Sequence, residues 1–126
     1  MALSLSPEQR QRFHAAPDVW LATVKPESSA HLVPIWAVLV EDVVYMATEP
    51  HSQKVRNILA HPRAALALPD TREVLVLEGT AKVLEGSGPP GVLERFQEKY
   101  DWRFTPGNSW VLVQFTPDKI LGWNSG

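Results

Sequence analysis

The stretch Val43-Val44-Tyr45-Met46-Ala47-Thr48-Glu49-Pro50-His51-Ser52-Gln53-Lys54-Val55-Arg56-Asn57-Ile58-Leu59 changes its hydrophobic period midway. Val43 to Thr48 is rich in β-favouring residues and follows the polar break Glu41-Asp42, so it reads as a strand after a tight turn. From Ser52 onward, Val55, Ile58 and Leu59 take helical i, i+3, i+4 spacing, while Lys54, Asn57 and His61 fall on another face until Pro62 stops the run. A strand therefore runs through a short turn into a short amphipathic helix.

Working outward, the strand pattern repeats on both sides. Val19 to Val24 and the apolar run His31 to Val40 flank the polar turn Lys25-Pro26-Glu27-Ser28-Ser29, which predicts a hairpin. Ala64 to Leu68 and Val74 to Leu84 flank Pro69-Asp70-Thr71-Arg72, with Gly79 marking a bulge or bend. Trp110 to Phe115 is the last clear strand. Ser6-Pro7-Glu8-Gln9 carries a capping hydroxyl, a proline at the first helical position and a Gln three residues after the cap. It opens a helix to about His14, closed by Pro17. Gly86 to Gly91 is a linker into a third helix, about Val92 to Tyr100, with the apolar stripe Val92, Leu93 and Phe96. Strands do not alternate with long helices, so the expected fold is mainly β: a barrel of about six to seven mostly antiparallel strands with short helices. Residues 1–126 suit one domain.

Composition excludes whole classes of function. Twelve Lys and Arg against fourteen Asp and Glu leave a net charge of −2, which provides no field for holding a long nucleic acid. The absence of cysteine removes disulfides, thiolate metal sites and cysteine nucleophiles. The longest uncharged apolar stretch, Leu32 to Val40, is far short of the roughly 18–20 residues of a membrane span, and the N-terminus has no signal-peptide pattern. The expected location is cytoplasmic.

Few residues invite catalysis. His14, His31, His51 and His61 form no His-x-x-x-His pair, no Gly-x-Ser-x-Gly occurs, and Glu41-Asp42 sits in a turn, so neither a metal site nor a catalytic residue is assigned. Ser52 stands where a helix cap belongs. Its hydroxyl, the free N–H groups beyond it and the cations of Lys54 and Arg56 suit one phosphate, although the same residues also describe a capped surface helix. Five Trp are many for this length, and Trp36 follows Val33-Pro34-Ile35, where a proline in an apolar strand marks a sheet edge.

The order Trp20-Leu21-Ala22-Thr23-Val24, His31-Leu32-Val33-Pro34-Ile35-Trp36, Val44-Tyr45-Met46-Ala47-Thr48 and Ser52-Gln53-Lys54-Val55-Arg56-Asn57-Ile58 resembles the pyridoxamine-phosphate-oxidase-like, FMN-binding split-barrel superfamily. Pro117-Asp118-Lys119-Ile120-Leu121-Gly122-Trp123 looks like the closing strand of its small members. The resemblance implies a homodimer with FMN, or the deazaflavin coenzyme F420, at its interface, acting as an oxidoreductase on a small-molecule substrate. A non-catalytic flavin carrier is the alternative, and a haem protein, with His51 or His61 nominated as ligand, ranks last.

Carried over by position, Val33, Pro34 and Ile35 would follow the isoalloxazine edge with their backbone groups, and Ala47 and Thr48 the ribityl chain. Ser52, Gln53 and Lys54, helped by Arg56, would hold the phosphate, with Gln53 standing where many members have arginine. Trp36 and Trp123 would contact the ring, Trp123 from the partner subunit. The basic set that oxidase members use for pyridoxal phosphate is missing from Leu121-Gly122-Trp123-Asn124-Ser125-Gly126, so pyridoxamine phosphate oxidation is not expected. A dimer also answers a physical need, since runs such as Leu32 to Val40 are apolar on both alternate sets of positions and five Trp require shelter.

Overall fold

The computed structural model describes residues 3–124; Ser125 and Gly126, part of the C-terminal stretch considered above, lie outside them. Three helices, α1 (Pro7–Ala15), α2 (Gln53–Ala60) and α3 (Val92–Tyr100), accompany seven strands. The strands are β1 (Val19–Val24), β2 (Ala30–Ile35), β3 (Ala37–Val40), β4 (Val43–Thr48), β5 (Arg63–Ala67), β6 (Glu73–Val83) and β7 (Val111–Asn124). They form one antiparallel sheet in the order β2-β1-β5-β6-β7-β4-β3, curled into the half-barrel of a split barrel. No helix among the described residues is long and apolar enough to cross a membrane.

Local chemistry explains most boundaries. Ser6 Oγ accepts the Gln9 N–H at 3.1 Å while Gln9 Oε1 accepts the Ser6 N–H at 2.8 Å, a complete capping box with Pro7 inside it. Asp70 Oδ1 accepts the N–H groups of Arg72 and Glu73, fixing the β5–β6 turn. Gly79 lies at a shift of register, with Glu78 opposite Lys119 but Gly79 opposite Pro117. Asp118 is the extra residue there, and it forms an ion pair with Arg63 on β5.

Three expectations need correction. The apolar run to Val40 is not one strand: it breaks at Trp36, and its halves take opposite edges of the sheet, β2 against β1 and β3 against β4. Continuous hydrophobicity hid the break because each half is apolar for a different reason. Val38 faces a second cluster with Tyr45, Ala47, Val92, Phe96 and Leu112 beneath α3, so α3 and not a second chain covers that side of β3. Leu32 and Pro34 on β2 stay exposed. The last strand also runs well beyond Phe115, to Asn124.

The third correction concerns α2. Asn57 is fully buried and Leu59 is 72% exposed, the reverse of the face assignment by periodicity. Asn57 tolerates burial because its Nδ2 donates to Thr23 Oγ1 at 2.9 Å and its Oδ1 accepts from Gln53 Nε2 at 2.7 Å. The main core lies inside the curl, with Phe13, Leu21, Met46, Leu66, Leu75, Leu77 and Phe115 among its members.

Candidate functional site

At the end of β4 the chain turns through Glu49-Pro50-His51 into α2, with the Ser52 N–H donating to Glu49 O at 3.1 Å. Ser52 is the cap. Its Oγ accepts the Val55 N–H at 3.4 Å and the Thr48 hydroxyl at 3.3 Å, tying the last residue of the strand to the start of the helix. Serving Val55 leaves the N–H groups of Gln53 and Lys54, the first two helical positions, without acceptors inside the helix. Both carry the positive end of the helix dipole.

The side chains around this corner divide into two kinds. Gln53 is committed to the protein: Nε2 donates to Asn57, and Oε1 accepts from Arg56 Nη2 at 2.7 Å. Arg56 also donates from Nη1 to His51 O at 2.7 Å, so its fork braces the turn. Lys54 makes no ion pair or side-chain hydrogen bond among the described residues, so at this corner its ammonium is not engaged by them. An anion arriving at this corner would meet two free N–H groups, the Lys54 ammonium and the remaining Arg56 N–H groups, a donor set that suits a phosphate.

The other predicted residues fall in three places. Val33, Pro34 and Ile35 lie on the edge strand β2, opposite Leu21, Trp20 and Val19, and Ile35 spends its side chain on the core. An edge strand keeps outward backbone groups unpaired by the sheet, which is what the expected contacts require. Ala47 and Thr48 are both buried at the end of β4. Trp123 is half-exposed near the far end of β7, opposite Val74, whereas Thr48 pairs with Val111 at the strand's beginning. Within one chain, Trp123 does not join the rest.

Trp36, at the break between β2 and β3, belongs to an aromatic group that pattern reading missed. Its ring stacks on Tyr100 with centroids 4.3 Å apart and planes 1° from parallel, and meets Trp102 edge-on at 5.8 Å. Trp102 in turn stacks on Phe104 at 4.2 Å and meets Trp110 edge-on at 4.9 Å. Trp36, Ala47, Tyr100, Asp101, Trp102 and Trp110 line an open cavity of about 490 Å³. The available signal was the run Tyr100-Asp101-Trp102-Arg103-Phe104, aromatic at alternate positions from the end of a helix onward.

Tyr100 is pinned on its far side. Its hydroxyl accepts the Ala37 N–H at 2.9 Å and donates to Ala37 O at 3.1 Å, while Lys99 Nζ donates to Ala37 O at 2.8 Å and Phe13 O at 3.2 Å. The same ammonium lies 5.2 Å from the ring centres of both Phe13 and Tyr100. Burial raises the Tyr100 hydroxyl above its ordinary pKa and lowers Lys99 to about 8. Between about pH 8 and 10.5 the folded chain then binds fewer protons at Lys99 than the unfolded chain, so stability gained from this group rises with pH through that window. Lys99→Met should abolish that part of the rise, as read by urea unfolding at several pH values. An unchanged pH profile would show that Lys99 titrates normally.

A family model described as pyridoxamine 5'-phosphate oxidase matches residues 5–124. Among solved structures, a conserved hypothetical protein of Mycobacterium tuberculosis is similar with a TM-score of 0.78 and 22% identity, over 98% of this chain and 86% of that one. The haem storage protein HutZ of Vibrio cholerae gives 0.75 and 14%, over 95% of each chain. An F420 reductase gives 0.70 and 23%, over 92% of this chain and 98% of that one. No curated protein matches the sequence. At such identities the structural likenesses establish a shared fold, and proteins of different chemistry use it. The sequence match spans the capped helix, the edge strand and the closing strand alike, and by it the chain belongs to the pyridoxamine 5'-phosphate oxidase family.

Proposed function

We propose that the protein is a homodimeric oxidoreductase that binds FMN and transfers hydride or electrons to or from a small organic substrate. The observation that carries this reading is the corner between β4 and α2, where Ser52 caps the helix and, among the described residues, two N–H groups have no acceptor and Lys54 has no partner. Bound flavin supplies the redox chemistry. The protein's part is to hold its phosphate with Ser52, Lys54 and the first turn of α2, to line the ribityl chain with Ala47 and Thr48, and to present the β2 backbone and Trp36 to the ring. Gln53 and Arg56 act by bracing the loop, since their amide and guanidinium groups already bond to one another. F420 is the second reading, favoured by the same phosphate donors and by the F420 reductase among the fold's members.

A second copy has a surface to cover. Pro34, Trp20, Ala67, Val76 and Leu121 stand in register across five strands, each wholly or partly exposed, with Leu32 beside them at 61% exposure. A transverse apolar row of this kind supports pairing of two sheets, and a partner seated on it would bring its own Trp123 to the interface. Titrating the protein with FMN and with F420 while following sedimentation tests both parts. One equivalent of either cofactor per protomer on a species of twice the monomer mass is expected. No binding of either at micromolar concentration would overturn the cofactor assignment, and a monomer at low micromolar concentration the dimer.

A further inference from the structure

Resting on the flavin or deazaflavin reading for its role, the structure assigns a second subsite: we propose that the aromatic slot of Trp36, Tyr100, Trp102 and Trp110 binds the substrate, and that the substrate is a planar aromatic ring without negative charge. Its volume, about 490 Å³, suits a one- or two-ring molecule and falls in the range of roughly 300–1,000 Å³ usual for small-molecule sites. Trp36 is 45% exposed although Tyr100 covers one face, so the indole keeps surface for a ligand. Rings meeting edge-on and face-on at 4.2 to 5.8 Å hold one another, and the hydroxyl of Tyr100 is fixed at both backbone groups of Ala37. The slot is thus formed before the ligand arrives, which lowers the entropy cost of binding.

The electrostatics select the ligand's charge. Aromatic faces carry negative quadrupole potential, and Asp101, whose carboxylate accepts from Gln97 Nε2 at 2.9 Å, is among the lining residues. Asp101 is also the C-cap of α3, held in the left-handed region at φ 52°, so the negative end of that helix dipole lies at the same residue. Lys99 sits over Tyr100, where backbone carbonyls of Phe13 and Ala37 take two of its N–H groups. Position supplies the role: Trp36 follows the β2 residues proposed for the flavin edge, and Ala47 is proposed for the ribityl chain. A ring in the slot would lie beside the cofactor, sharing Trp36 and Ala47 as walls.

The test uses quinoline, the anionic 2-naphthoate and the non-planar cyclohexylmethanol as probes, in calorimetric titrations of the cofactor-free wild type. Quinoline should bind at least tenfold more tightly than either of the others, and Trp36→Leu, checked for native circular dichroism, should weaken it at least tenfold. The wild-type series stands even if that variant does not fold. Equal affinity for the three probes would overturn the proposal. Quinoline and riboflavin should bind together; strict competition would mean that the slot takes the flavin ring itself, overturning the substrate assignment while leaving the cofactor reading intact. Quinoline binding by a protein that takes neither FMN nor F420 would remove the cofactor reading and the slot's role as a substrate site, leaving an aromatic-binding pocket alone.

Discussion

Gly79→Ala should lower stability by about 3 kcal/mol or more, at the severe end of overpacking, and depress the melting temperature by roughly 10 °C. A Cβ at this position would come 2.1 Å from the Thr116 carbonyl oxygen and 2.8 Å from Pro117 Cα. Both are backbone atoms, so no rotamer change relieves the clash and the two strands must move apart. They would part at the bulge that lets β6 and β7, the longest strands, stay paired as the sheet curls. Thermal unfolding followed by circular dichroism reads the effect directly. A loss below about 1 kcal/mol would mean that the bulge relaxes freely and does not set the curvature.

Lys54→Ala should weaken FMN by about one to two orders of magnitude, since a charge-assisted contact is worth roughly 1.5–3 kcal/mol. The free N–H groups of Gln53 and Lys54 remain in the variant, so binding falls without vanishing. The side chain has no partner among the described residues, so fold and melting temperature should be preserved. Riboflavin, which lacks the phosphate, should bind wild type and variant almost equally. If both ligands weaken alike, Lys54 does not hold the phosphate and the corner at the end of β4 is misassigned.

Gly79 and the cap of the helix that carries Lys54 also show what a sequence discloses. Gly79 and Ser52 were legible because each breaks a pattern locally: a glycine inside a strand, a capping hydroxyl before a change of period. Pro34 marked the edge strand for the same reason, since its missing N–H excludes it from a central ladder. Asn57 was illegible because its burial depends on Thr23, 34 residues earlier, and no local rule predicts which polar residue finds a distant partner. Trp36 as a break was hidden by apolar residues on both sides. The corner proposed for the phosphate lies on one continuous segment and could be nominated as a unit, whereas the aromatic slot joins a strand break, a strand end, the end of α3 with the two residues after it, and Trp110 just before β7. The hydrogen bond from Arg56 to Gln53 depends on rotamers that a string of letters does not contain.

Residue Trp36 separates two strands that occupy the opposite ends of the sheet order. Elsewhere neighbouring strands are held by ladders of hydrogen bonds, but at this seam the first and last strands are joined by the main chain itself. A ladder can slip or fray; a covalent clasp one residue long cannot. The curl of the sheet is therefore fixed in length at that point, and opening the seam requires bending the chain around Trp36. Its indole is at the same time a wall of the slot and the stacking partner of Tyr100. The slot therefore has one wall at the seam where the first and last strands of the sheet meet, and the residue that closes the sheet is also one that a ligand in the slot would touch.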